Sequence, residues 1–198
     1  MEEMKNTKNQ ILEVALKLFA ENSFHGASIR DIAKQIGKRE SSIYNHFKSK
    51  DEIFEQIILK FSSRNFGPII LTDKLIENIS KPQKFFTMLG ENLISFWNSD
   101  EERMFIKILL SMKNIKNPEK QYTLDNYITD FKRLSEFIFK EMISHKFIKK
   151  FDLQILSQEF ISPLVLFQIE LLNSSKSEKD EDVLLKRHVD FFWEAIKK

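Results

Sequence analysis

The scarcity of residues that break helices is the feature that most constrains this chain. Its 198 residues include four glycines and four prolines, well below the roughly 7% and 5% of average proteins. Tight hairpin turns and phosphate-binding loops depend on these residues, so few of either can form. The sequence also contains no glycine-rich nucleotide-binding motif and no nucleophile-elbow motif. The sequence therefore predicts an all-α protein of about nine helices.

Composition excludes several other classes of protein. Hydrophobic residues make up 42% and charged residues 30% of the chain, which is enough to bury a sizeable core. The absence of cysteine excludes disulfide scaffolds, thiol nucleophiles and cysteine-rich zinc sites. The N-terminus is acidic where a signal peptide is basic, and we expect no apolar run that approaches the ~18 residues of a membrane span. We expect a cytoplasmic protein that does not contact a membrane.

Three helical patterns at the start of the chain lie close together. Residues 9–22 carry apolar side chains at the three- and four-residue spacing of an amphipathic helix. Ser28 begins a capping-box pattern that opens a second helix, which ends at Gly37. Ile43 and Phe47 mark a short third helix only a few residues later. Two helices joined by so short a turn, with another helix behind them, are typical of the unit that places its last helix in the DNA major groove.

The rest of the chain is divided into further helical segments by Gly, Pro, Asn and Ser. A second capping-box pattern at Ser49 opens helix four. The stretch 66–80 is either a loop or a short helix. The later helices are predicted near residues 83–97, 101–114, 119–146, 152–172 and 181–197.

Positive charge is concentrated near the short turn. Residues 1–50 hold nine Lys and Arg against six Asp and Glu, a net charge of +3 within a chain whose total is +2. Lys38 and Arg39 stand at the start of helix three, where the helix dipole disfavours each cation by ~0.3–1 kcal/mol. A bound polyanion would remove this conflict. The alternative is that helix three simply shows the polar outer face of any short surface helix.

The run from Ile11 to Ile57 resembles the DNA-binding domain of the TetR (tetracycline-repressor) family of bacterial regulators. The resemblance rests on Ser28-Ile29-Arg30-Asp31-Ile32-Ala33, on Gly37, on Ser42-Ile43-Tyr44-Asn45-His46-Phe47, and on Lys50 with Glu52 and Ile53. It implies a DNA-binding domain over residues 1–50, helix four over 50–65 as a connector, and an effector-binding and dimerisation domain over 51–198. It also implies a homodimeric regulator, foremost a repressor that a small apolar effector releases from a palindromic DNA operator.

The resemblance also implies which residues contact DNA. Phosphates would be held by Ser28, Tyr44, His46 and Lys50, and base edges or the groove wall by Arg39, Glu40, Ser42 and Asn45. Lys38 adds a further cation to this set. The alternative for Tyr44 is a half-buried aromatic that closes the core.

The chain departs from the usual family pattern in several places. Lys38, Arg39 and Ser41 replace an apolar residue, a small capping residue and a glycine. The operator of another family member therefore cannot be transferred to this chain. Asn22 stands where glycine is common, and Asn tolerates the left-handed turn that we expect to end helix one there.

The last two helical segments are expected to form the dimer interface. Their apolar faces are broader than one buried stripe, and Phe191-Phe192-Trp193 places aromatics on adjacent faces. The alternative is an ordinary helical hairpin within one chain. The expected interface residues are Leu156, Phe160, Leu164, Phe167, Leu185, Val189, Phe192 and Trp193.

Aromatic and methionine residues in the middle of the chain are candidates for an effector pocket. Such side chains make an adaptable lining, although the same spacing is more common in an ordinary core. The candidates are Asn92, Trp97, Met104, Phe105, Tyr122, Tyr127 and Phe131.

Other functions find less support in the sequence. The four histidines are scattered, and none has the close His or carboxylate partners at helical spacing that would make a convincing metal site, so we expect neither a metal site nor a cofactor. No acid-base or nucleophile arrangement indicates an enzyme. The sequence leaves two alternative functions. One is a helical carrier or sensor of apolar ligands that does not bind DNA, and the other is a DNA-binding activator or architectural protein that does not respond to an effector.

Overall fold

A computed structural model describes residues 2–112, 122–172 and 178–198 of the chain. Within these ranges the chain forms eleven helices and no strand, which confirms the all-α prediction. The count exceeds the predicted one because the stretch 66–80 forms two four-residue helices. The helices are α1 (Glu2–Gly26), α2 (Ile29–Gln35), α3 (Glu40–Tyr44), α4 (Lys50–Ser62), α5 (Gly67–Ile70), α6 (Asp73–Ile76), α7 (Pro82–Trp97), α8 (Asp100–Ser111), α9 (Leu124–Ser144), α10 (Leu153–Leu172) and α11 (Glu178–Ile196).

Most helix boundaries agree with the sequence prediction to within a few residues. Helices α7 and α10 each begin within one residue of the predicted start and end at the predicted residue. The predicted end at residue 114 and the predicted start at residue 119 lie outside the described residues. Helix α1 begins well before the predicted residue 9.

The chain divides into two compact units that do not follow chain order. Unit 1 comprises residues 1–64 and 100–124, and unit 2 comprises residues 65–99 and 125–198. The sequence predicted a single boundary at residue 50. The structure instead joins α4 and α8 to the first three helices, because both pack along α1.

The core of unit 1 is built from the inward faces of its helices. Phe61 on α4 stacks on Phe105 of α8, with ring centroids 4.2 Å apart. Burial of these apolar side chains is the main stabilising contribution. The N-terminal part of this core consists of Ile11, Ala15, Phe19, Ile32, Ile43, Phe47, Ile53 and Ile57, each at most 1% exposed.

A buried ion pair joins the end of α4 to the start of α8. The Arg64 guanidinium contacts the carboxylate of Glu102, which is fully buried. The same guanidinium lies 4.1 Å from the centre of the Phe61 ring. Next to this pair, Lys60 and Glu101 form a more exposed ion pair of 3.1 Å.

Helix α1 is interrupted near its end at Ser23. The backbone there has φ 61° and ψ 168°, a conformation that is not helical. The positive φ therefore falls on Ser23 and not on Asn22, and the expectation for Asn22 is wrong by one residue. The positive φ falls one residue later because α1 keeps helical geometry through Asn22 and the chain turns only after that residue.

The core of unit 2 is an aromatic cluster on α7, α9, α10 and α11. Rings of Phe86, Phe139, Phe160 and Phe192 lie 5.2–6.0 Å apart. Helices α7 and α11 approach closely because Gly90 has no side chain: a methyl group there would overlap Cδ1 of Leu185.

One described helix is long and apolar enough to cross a membrane by length and composition alone. It is α10, Leu153–Leu172, with a mean hydropathy of 1.4 over its most apolar window. About a third of that window is buried inside the fold, and core helices of water-soluble proteins pass the same test. The helix is weak support for a membrane span.

Candidate nucleic-acid interface

Helix α2 is opened by the capping box that the sequence predicts. The Asp31 backbone N–H donates to Ser28 Oγ at 3.2 Å, and the Ser28 backbone N–H donates to Asp31 Oδ2 at 3.0 Å. These hydrogen bonds from Ser28, first its side chain and then its backbone, lower the pKa of the Asp31 carboxyl. The orientation of α2 is thereby fixed at its first turn.

A tight turn separates α2 from α3. Gly37 has φ 68°, in the left-handed region that glycine enters without strain. The Lys38 backbone N–H donates to the Ala33 carbonyl at 2.9 Å, which caps the end of α2. Four residues, 36–39, therefore suffice to connect the two helices.

Helix α3 is held by its apolar side and presents its polar side to solvent. Ile43 and Phe47 are at most 1% exposed. Tyr44 is 54% exposed, so the alternative in which it closes the core is wrong. The outward set consists of the exposed Arg39, Glu40, Tyr44 and Asn45 and the half-buried Ser42 and His46.

The two cations at the start of α3 are available to a ligand. Arg39 occupies the N-cap position and forms no side-chain capping hydrogen bond. Within the part of the chain that the structure describes, neither Lys38 nor Arg39 makes an ion pair. Both side chains are exposed. The structure thus brings Ser28, the cations and the polar side of α3 into one small three-helix arrangement.

Lys50 differs from the other residues predicted to contact DNA. Its Nζ donates to the carbonyl oxygens of Phe24 and Ala27, each at 2.8 Å. It also lies 4.4 Å from the centre of the Phe24 ring. The ammonium therefore already has hydrogen-bond acceptors within the chain, and these contacts between distant residues could not be predicted from the sequence.

The dimer prediction needs correction for six of its eight residues. Phe167 and Trp193 are half-buried. The other six are at most 4% exposed and belong to the core of unit 2, so they have no surface left to offer a partner: Leu156, Phe160, Leu164, Leu185, Val189 and Phe192.

The same two helices carry exposed apolar residues that the sequence analysis missed. Ile155 and Leu166 on α10 are 61% and 55% exposed, and Val183 and Phe191 on α11 are 51% and 77% exposed. We call these four residues the exposed apolar face. The adjacent aromatics at 191–193 signalled excess apolar surface, but they did not indicate which ring points outward.

The residues predicted to bind an effector fall into both units. Phe105, Met104 and Tyr122 lie in unit 1, where Phe105 stacks on Phe61. In unit 2, Trp97 and Tyr127 pack their rings on Phe131 at 5.1 and 5.0 Å, and the Asn92 side-chain amide donates to the Ile70 carbonyl at 2.8 Å. Effector binding by these seven residues stays a prediction.

Two surface grooves are lined by other residues. One groove of about 520 Å³ lies in unit 1 between α1 and α2, beside Asn22 and Lys34. The other, of about 560 Å³, lies in unit 2 between α7 and α11, beside Glu91 and Lys186. Among the described residues, no three His, Asp or Glu side chains are grouped as metal ligands would be.

Comparison with known proteins agrees with this geometry. Residues 11–57 match the family of bacterial regulatory proteins called the tetR family. IcaR of Staphylococcus aureus (strain Newman), a negative transcriptional regulator of the biofilm operon icaADBC, is 28% identical over 173 residues, which cover 87% of this chain and 86% of IcaR.

Solved structures have the same fold. The structure of NalD from Pseudomonas aeruginosa, the secondary repressor of the MexAB-OprM multidrug efflux pump, matches with a TM-score of 0.69 at 19% identity and covers 100% of this chain and 99% of its own. A candidate fatty acid metabolism regulator from Clostridium perfringens matches with a TM-score of 0.61 at 28% identity, over 92% and 96% of the two chains. Residues 11–57 thus match the tetR family of bacterial regulatory proteins, and most of the chain is similar to a helix-turn-helix transcriptional regulator.

Proposed function

We propose that the chain is a homodimeric repressor in the bacterial cytoplasm that binds a palindromic DNA operator and is released by a small apolar effector. The observation that carries the DNA-binding part is the outward polar side of α3, flanked by two cations that form no ion pair among the described residues. The names of IcaR and NalD, both repressors, support the direction of regulation.

The polar residues divide into two roles at the DNA. Lys38, Ser28, Tyr44 and His46 would hold phosphates, because ammonium, hydroxyl and imidazole groups donate to phosphate oxygens. Arg39, Glu40, Ser42 and Asn45 would face bases or the groove wall, where amide and guanidinium groups can pair with base edges. Phosphate contacts would set affinity, and base contacts would set sequence preference.

A dimer follows from the geometry of DNA recognition. One three-helix unit contacts one half-site, and two half-sites lie ~34–36 Å apart along the duplex. The exposed apolar face is the proposed interface, since its four residues are more than half exposed and lie on two long helices. A second copy of the chain would bury this surface symmetrically.

The effector is proposed to bind in the aromatic interior of unit 2. Trp97 is 1% exposed, and among the described residues its Nε1 has no hydrogen-bond partner. The neighbouring Asn98 accepts a hydrogen bond from Gln168 Nε2, while Gln168 Oε1 is buried without a partner in the same described set. Unsatisfied buried polar atoms are rare and costly. An apolar ligand with one polar group could satisfy them.

Selection of bound fragments from the source genome tests the DNA-binding part. The wild-type protein is expected to enrich a few fragments that contain an inverted repeat. Loss of binding between ~50 and ~200 mM salt is expected for selected and random duplexes alike. Failure to retain any duplex at low salt would contradict the proposal and favour a carrier that does not bind DNA.

Tryptophan fluorescence tests the effector part. Trp193→Phe leaves Trp97 as the single tryptophan, since the chain has two. Saturated fatty acids of increasing length are suitable first probes, because the C. perfringens relative is described as a candidate fatty acid metabolism regulator. A bound probe should change Trp97 emission and weaken operator binding together. Emission that changes without any effect on operator binding would argue against an effector role for that ligand.

A further inference from the structure

Lys50 makes an unusual set of contacts for the first residue of a helix. Its side chain runs back from α4 to the turn between α1 and α2, where Nζ donates to two carbonyl oxygens at 2.8 Å each. Those carbonyls belong to Phe24 and Ala27, at the end of α1 and just after it. Helix ends leave carbonyl groups without intrahelical partners, so a lysine ammonium is a suitable cap.

The contact is reinforced by an aromatic stack beneath the ammonium. Nζ lies 4.4 Å from the centre of the Phe24 ring, close enough for a cation–π interaction. The same ring packs on Phe19 of α1 at 5.6 Å and on Phe54 of α4 at 4.9 Å. The Lys50 ammonium therefore contacts the Phe24 ring, and this ring packs on the core of unit 1. These contacts connect the start of α4 to the turn between α1 and α2.

This contact lies directly beside the start of the helix-turn-helix. Ala27 precedes Ser28, the N-cap of α2, and α2 packs on α3. The turn also contains Ser23, whose positive φ marks the change of chain direction. The Lys50 ammonium therefore connects the first residue of α4 to the turn that precedes α2.

We propose that Lys50 is a positioning residue, which holds the α1–α2 turn so that α2 and α3 fit the duplex, and that it does not act as a phosphate ligand. The proposal rests on the DNA-binding function proposed above and replaces the phosphate role that the family resemblance implies for this residue. Two of the three ammonium hydrogens are committed to carbonyl oxygens. One ammonium hydrogen is left for a phosphate, but the residue is half-buried and its ammonium lies 4.4 Å from the Phe24 ring, so the observed contacts favour the positioning role.

The salt dependence of DNA binding separates the two roles. Each lost phosphate contact lowers the magnitude of the slope of log K against log salt by about 0.9, or roughly 1.8 for both copies in a dimer. Lys50→Met should weaken binding to a selected operator roughly tenfold or more, because charge-assisted hydrogen bonds are lost, and should leave the slope unchanged. Lys50→Arg should retain most of the affinity, since a guanidinium can also donate to two carbonyls. Lys38→Met is the matched control and should lower the slope.

Amide hydrogen exchange without DNA supplies a readout that does not depend on the proposed function. Lys50→Met should speed exchange at residues 27–32, which include the capped first turn of α2, and should leave α10 unchanged. Circular dichroism should show a folded protein, and Lys50→Gln, which keeps one donor group, should give an intermediate effect. Faster exchange in a protein that binds no duplex would support the contact and refute the DNA-binding function. Unchanged exchange, or a slope that falls as it does for Lys38→Met, would overturn the positioning role.

Discussion

Ser23 shows how a single backbone conformation can store strain in this fold. Its φ of 61° and ψ of 168° lie in a region that is nearly exclusive to glycine. From the sequence, the positive φ was expected at Asn22, because Asn and Gly are the residues that usually adopt it. Serine gave no such signal, since nothing in its side chain favours this conformation. The capping box of Ser28 and Asp31, by contrast, was predictable because it is a local pattern with a fixed spacing.

Glycine substitutions at the two neighbouring positions should have opposite effects. Ser23→Gly relieves backbone strain of order 1–3 kcal/mol and should raise the free energy of unfolding by about 1 kcal/mol once the entropy of glycine is included. Asn22→Gly should lower it by roughly 0.5–1 kcal/mol, because Asn22 is helical. Urea unfolding measures both. A stabilising Asn22→Gly together with a destabilising Ser23→Gly would contradict the backbone described here.

The lowered pKa of Asp31 gives a pH dependence that can be measured directly. Because the folded-state pKa lies below the unfolded value, the stabilisation is present above the ordinary pKa and is lost as pH falls through the lowered one. Ser28→Ala removes the side-chain hydrogen bond, the largest cause, and should return the pKa toward its usual value. Carboxyl NMR titration of both proteins checks this. An identical Asp31 titration in the variant would rule out Ser28 as the cause.

Among the helices, the buried face of a short amphipathic helix could be predicted from the sequence. The buried face of a long helix that is apolar on most sides could not. Helix α3 carries two apolar residues on one side and polar residues on the other, so its inward face followed from spacing alone. Helix α10 is apolar around most of its circumference, and the choice of which residues are buried depends on its neighbours. The same holds for Glu102, which belongs to the acidic first turn of α8 and which the fold buries against Arg64.

Two adjacent glutamates should differ sharply in their contribution to stability. Glu102→Ala leaves the Arg64 guanidinium without its buried partner carboxylate. We expect a loss of about 2–3 kcal/mol, at the lower end for buried pairs because the Arg64 side chain is 27% exposed. Glu101→Ala should cost at most about 1 kcal/mol, since Glu101 and Lys60 are both nearly half exposed. Thermal unfolding compares them. Equal losses would show that the pair is not buried in solution.

For the molecule as a whole, the sequence predicted a boundary at residue 50 but not the grouping of helices that the structure shows. A contiguous N-terminal domain was expected, yet α8 joins it from the middle of the chain. Such a grouping depends on contacts between distant segments, which periodicity within one helix does not report. The two helices that the sequence assigned to the dimer interface, α10 and α11, carry exposed apolar residues as well as buried ones.

Charge placed on the exposed apolar face should prevent dimer formation. Phe191 is 77% exposed in the single chain, so Phe191→Glu should fold normally and yet sediment as a monomer, since an interface would have to bury the new charge. Phe151→Glu is the matched control, because Phe151 is 43% exposed but precedes α10. Analytical ultracentrifugation measures the mass. A Phe191→Glu variant that remains dimeric, or a monomeric wild type, would place the interface elsewhere or remove it.

The polar side of α3 is proposed to read a DNA sequence. Fluorescence anisotropy with a selected operator duplex and a scrambled duplex of equal length measures whether it does. Asn45→Ala should lower operator affinity by about 1–3 kcal/mol and leave affinity for the scrambled duplex nearly unchanged. Lys38→Met should weaken both duplexes alike. If Asn45→Ala leaves the ratio of the two affinities at its wild-type value, α3 does not read the sequence and the account is wrong.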